Sequence, residues 1–120
     1  MCYYKGVNLM DTVTKQYIET VKVSDIPWHR LTTTYGRATD FPTELDVLWN
    51  MESIEVVDAA GEALAQNIEH QSTLWHATPF AMIFLLRIFR KAQEERAHNE
   101  VAQYLAEQLV ELFTVIAECI

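Results

Sequence analysis

Glycine and proline are scarce in this chain, three of each among 120 residues. That leaves little material for the many tight turns of a sandwich or barrel and favours helices. Cysteine is nearly absent too. Cys2 and Cys119, near opposite ends, are too few for a disulfide framework and predict a reducing compartment. Long hydrophobic runs are missing: the longest, Pro79 to Leu86, is far below the roughly 20 residues that span a membrane. Residues 1–23 lack the basic start and apolar run of a secretory signal. The expectation is a soluble cytoplasmic protein with no membrane partner. Positive charge is also short, with nine Lys and Arg against 17 Asp and Glu, a net charge of −8. Phosphate binding needs a positive footprint, so direct contact with nucleic acid is disfavoured and a basic protein partner is favoured.

The signatures of catalysis are missing as well. There is no Gly-x-Ser-x-Gly, no Cys-x-x-Cys and no glycine-rich phosphate loop. His70 and His76 do not have the i,i+4 spacing of a helical zinc pair, and His29 and His98 stand apart. The carboxylates are many, but a carboxylate needs a cleft and a raised pKa to act as acid or base. The reading is of no enzyme, no metal and no cofactor.

What is present is a single stretch of apolar-rich, helix-forming sequence. Half of the residues are hydrophobic, enough for one packed domain over 1–120. Val13, Tyr17 and Val21 repeat at four and suggest a helix from Asn8 to Lys22, against the mild resistance of several β-branched residues. Ser24-Asp25-Ile26-Pro27 reads as a helix start, with a short helix from Pro27 to Tyr35 ended by Gly36. Thr39-Asp40-Phe41-Pro42 repeats that start and predicts a second short helix from Pro42 to Met51. Glu52 to Glu69 is amphipathic, with Val57, Leu64 and Ile68 opposite its acidic side and Gly61 suggesting a close helix–helix approach. Leu74 to Lys91 is apolar nearly all round, with Pro79 one turn in. Asn99 to Ile120 places Val101, Leu105, Leu109, Leu112 and Ile116 on one stripe. Trp28, Tyr35, Trp49 and Trp75 read as core residues, with Trp49 as the alternative binding anchor. The fold class is all-α, a short stack of about five to six antiparallel helices.

Two stretches share a pattern. Trp28, Leu31, Tyr35, Gly36, Ala38, Asp40 and Pro42 form the first, and His70, Gln71, Ala77, Thr78, Pro79, Phe84 and Leu85 the second. In order and spacing the chain from Ile26 to Phe89 resembles bacterial HEAT-like repeat proteins. Ser72 stands where that pattern has glycine, and Phe80-Ala81-Met82 replaces a more proline-rich stretch. The resemblance implies stacked helix pairs, and the short chain leaves the terminal helices as caps. Small helical proteins of this kind occur as immunity proteins of bacterial toxin systems, including contact-dependent growth inhibition. The resemblance therefore implies a cognate toxin domain as partner, while the motif residues themselves read as structural.

The charge pattern supplies the candidate site. From Ala38 to Leu86 there are eight acidic residues and no Lys or Arg, and no cation follows Arg96. Glu55, Asp58, Glu62 and Glu69 fall within roughly 60° of helix arc, and Glu100, Glu107, Glu111 and Glu118 within about 40°. Toxin domains that cut nucleic acid are usually basic, and an inhibitor can set carboxylates where phosphates would sit. The candidate toxin-binding residues are Glu55, Asp58, Glu62 and Glu69, followed by Glu107 and Glu111. The plainer alternative is that both stripes are solvated outer faces, but such faces ordinarily interleave Lys for i,i+4 pairs. A non-enzymatic helical adaptor is the rival function.

Overall fold

The computed structural model describes the backbone at residues 4–34, 36–70, 73–74 and 76–119, and side chains at 12–34, 36–68 and 76–119. Five α-helices dominate: α1 (Tyr4–Thr20), α2 (Phe41–Asn50), α3 (Ile54–Ile68), α4 (Thr78–Glu95) and α5 (Glu100–Glu118). The fold is all-α. Two hairpins of two-residue strands interrupt it, β1 (Thr32–Thr33) with β2 (Gly36–Arg37), and β3 (Glu69–His70) with β4 (Thr73–Leu74), both antiparallel. The chain thus runs twice through the same order of hairpin, helix, helix. Each leading helix carries proline as its second residue, Pro42 in α2 and Pro79 in α4, where the missing N–H costs no hydrogen bond.

Local chemistry sets the ends of these helices. Met51 closes α2 in the left-handed conformation (φ 50°), its N–H bonded to the Val47 carbonyl. The Ser53 hydroxyl then accepts the Val56 amide at 3.3 Å and starts α3. Asn99 starts α5 by accepting the amides of Val101 at 3.0 Å and Ala102 at 3.3 Å. The connections within α2–α3 and α4–α5 are therefore short, and each pair packs as a helical hairpin.

Burial follows the sequence stripes in the helical pairs. Leu48, Val57, Leu64, Ile68, Leu85 and Leu105 are fully enclosed, contributed by α2, α3, α4 and α5. On α5 Leu105, Leu109 and Ile116 are buried, with Val101 and Leu112 half-buried beside them. Trp28 joins the first unit to the second. Its ring lies 5.6 Å from Phe41 and 5.9 Å from Phe84, and its indole N–H donates to the Val23 carbonyl at 2.9 Å.

The hairpins are sewn to one another. Thr33 Oγ1 donates to Asn67 Oδ1 at 3.0 Å, and the Thr34 amide bonds the Asn67 carbonyl at 3.3 Å. The Ala77 amide reaches the Thr32 carbonyl at 3.2 Å, and Thr32 Oγ1 lies 3.0 Å from His76 Nδ1. Thr78 Oγ1 donates to the Ile68 carbonyl at 2.9 Å. The two patterned stretches of sequence thus meet along this seam.

Several boundaries differ from the sequence expectation. The helix expected from Pro27 to Tyr35 does not form over Pro27 to Thr34: a single 3-10 turn at Trp28–Arg30 gives way to β1, because three consecutive threonines prefer extended backbone. Gly36 does not terminate a helix but opens β2 at φ 137°, a conformation that side-chain-bearing residues resist. Residues 52–53 precede α3, and Glu69 has left it for β3. Leu74, His76 and Ala77 are not helical, so Pro79 falls in the first turn of α4 and kinks nothing. Gly61 marks no close approach, since a Cβ there would meet only Leu48 Cδ2, at 4.0 Å. Trp49 is not core: 45 % of its surface is exposed. Tyr35 and Trp75 were expected in the core, and their side chains, like those of the pattern residues His70 and Gln71, lie outside the described residues.

Candidate functional site

The acidic stripes of α3 and α5 come together at one place. Asp58 and Glu62 stand one turn apart on the shoulder of α3 that faces α5, and Tyr104, Gln108 and Glu111 answer from α5. Between them lies a cleft of about 290 Å³. Its floor is apolar, built from Leu48, Val57, Leu64, Leu85, Leu105 and Leu109. Gly61, which has no side chain, and Ala65, which has only a methyl, form part of the α3 wall and leave it low. The close packing that Gly61 does not make is replaced by this open space.

Tyr104 organises the polar edge. Its hydroxyl donates to the Asp58 carboxylate across the helix pair. That bond raises the phenol above its ordinary pKa, and burial and the negative charges of Asp58, Glu62 and Glu111 add to it. Three carboxylates from two helices therefore act on one side chain. None has a cationic partner: the only ion pair among the described residues is Lys91–Glu95, at 4.0 Å on α4. A negative rim over an apolar floor suits a basic group on an apolar stem, which gains charge pairing and burial together.

The other candidate residues lie apart. Glu55 and Glu107 are exposed on α3 and α5 but do not line the cleft. Glu69 is in β3, off the helical stripe, and its side chain lies outside the described residues. Sequence reasoning missed Tyr104 and Gln108, although Tyr104 sits three and seven positions before Glu107 and Glu111, on the same side of α5.

A separate carboxylate is perturbed. Glu44 on α2 is half-buried, and its pKa rises from 4.5 to about 7, first through burial and then through the charge of Asp40. Its Oε2 is enclosed with no hydrogen-bond partner among the described residues. It lines neither the cleft nor the second groove beside Trp49.

Among the described residues no three His, Cys, Asp or Glu side chains gather as metal ligands, and no helix is long and apolar enough to cross a membrane. No family model, curated protein or solved structure matches the chain.

Proposed function

We propose that this chain is a cytoplasmic immunity protein that binds and neutralises a cognate bacterial toxin domain, a basic nuclease, by occluding its active site or substrate groove. The observation that supports this reading is the cation-free edge of α3 and α5, where Asp58, Glu62 and Glu111 rim an apolar-floored cleft. Carboxylates on rigid helices lose little entropy on binding, and their field speeds encounter with a positive surface. The repeated hairpin–helix–helix order fits a short HEAT-like stack, the architecture that the sequence resemblance implies. Protein inhibition needs no cofactor and no catalysis by this chain.

The test is co-expression with the C-terminal domain encoded immediately upstream. The expected result is a 1:1 complex whose affinity falls with salt, and falls further when Asp58, Glu62 and Glu111 are reversed to Lys together. An unchanged affinity in that triple variant, with the helical circular dichroism intact, removes the site assignment. Absence of any complex, with the neighbour harmless to cells, removes the immunity reading. The rival is a helical adaptor, favoured by a second groove that lies beside Trp49 and shares no residue with the acidic cleft.

A further inference from the structure

The cations of this acidic chain are unevenly spread. Arg87, Arg90 and Lys91 lie within five positions on α4. Arg87 lines a groove of about 560 Å³ between α2 and α4, to which Val23 also contributes. The floor is apolar, formed by the buried Leu45, Phe84 and Ile88. Trp49 forms part of the wall with 45 % of its surface in solvent, the kind of flat, half-wet aromatic that anchors protein contacts.

Arg87 is held in place without a counter-ion. Its guanidinium lies 5.0 Å from the Phe84 ring centroid and donates to the Ile18 carbonyl. No carboxylate among the described residues pairs with it. Asp46, the one acid lining the groove among the described residues, keeps its charge but accepts from the Asn50 amide at 3.4 Å and makes no ion pair with Arg87. One turn on, the Lys91 ammonium sits 4.6 Å from the Trp49 ring centroid and donates to the Trp49 carbonyl. A guanidinium held against an aromatic ring at the wall of an apolar groove, with no carboxylate paired to it among the described residues, is an incomplete charge pair.

We propose that this groove docks an amphipathic partner segment that carries a carboxylate next to its apolar anchor. The apolar side chain fills the Leu45–Phe84–Ile88 floor against Trp49. The carboxylate meets the guanidinium N–H groups of Arg87 that Ile18 leaves available, while Lys91, one turn on, is already paired with Glu95 at 4.0 Å. The occupant is the opposite in charge of the one that suits the Tyr104 cleft, so this inference stands whether or not the immunity reading does.

Two synthetic helical peptides test it, each with Leu on one face, one flanked by Glu and the other by Lys. They are titrated into the full chain while the Trp49 indole N–H is followed by NMR. The net charge of −8 favours the Lys peptide overall, so a Trp49 response to the Glu peptide reports local chemistry. The expected result is saturable Trp49 shifts with the Glu peptide and affinity about tenfold lower for the Lys peptide. Arg87→Glu reverses that preference, and Lys91→Glu weakens Glu-peptide binding if Arg87→Glu fails to fold. Equal response to both peptides, no response at Trp49, or a preference unchanged in the folded variants overturns the proposal. Concentration-dependent Trp49 shifts with no peptide present also overturn it, by identifying a second copy of the chain as the occupant.

Discussion

The hydroxyl of Tyr104 on α5 is bonded to the carboxylate of Asp58 on α3, 46 positions earlier in the chain. This one contact ties the two acidic helices at the mouth of the cleft. It also fixes one of the three carboxylates that rim the cleft.

Tyr104→Phe keeps the ring and removes the bond. The contact is at the surface, so the expected loss of stability by denaturant unfolding is small. The phenol itself provides a second readout. Subtracting the ultraviolet pH titration of Tyr104→Phe from that of the wild type isolates an ionisation above the ordinary tyrosine range, and Asp58→Asn brings it down. A Tyr104 titration indifferent to Asp58 would contradict the geometry.

Glu44 gives the protein a pH dependence of defined sign. Its folded pKa, about 7, lies above its unfolded value, so the folded state holds the proton more tightly. Its contribution is present in acid and is lost as pH rises from about 4.5 through 7. Glu44→Gln, which keeps the shape and removes the titration, is therefore more stable than wild type at pH 8, with the difference shrinking towards pH 5. For a half-buried group the gain is about 1 kcal/mol. Thermal melts of the two proteins across that range check it, and parallel curves would show that Glu44 is fully solvated.

Asn99 should be the most sensitive helix end in the second unit. Its side chain alone accepts two amides at the start of α5. Asn99→Ala costs about 1 kcal/mol, whereas Asn99→Asp retains the cap and adds a favourable charge at the helix N-terminus. Chemical denaturation of the pair distinguishes a cap from an incidental contact.

How much of this was legible in the sequence depends on whether spacing or pairing decides the structure. The spacing of Val57, Leu64 and Ile68, and of Leu105, Leu109 and Ile116, marks buried faces because a helix repeats its geometry regardless of its surroundings. The hairpins carry no such period. Two-residue strands such as Thr32–Thr33 exist because partners 34 and 44 positions away, Asn67 and His76, receive them, and nothing local names those partners. The acidic stripes were legible as stripes. That Asp58, Glu62 and Glu111 share a cleft while Glu55 and Glu107 do not depends on how α3 and α5 are rotated against each other, which the packed core sets. The solvent-exposed placement of Trp49 was hidden for the same reason: its apolar character fits either side of α2.

The seam between the hairpins has a consequence for the order in which the molecule forms and fails. Each helical pair closes through a short connection, so its contacts are local and form early. The bonds of Thr33 to Asn67 and of Thr32 to His76 close long loops, and such contacts fall after the main barrier. Thr33→Val, which deletes a hydroxyl at a site 4 % exposed, should therefore speed unfolding in stopped-flow traces and leave the refolding limb nearly unmoved. The lifetime of the native state would then be governed by a few threonine hydroxyls rather than by the leucines that supply most of its buried surface.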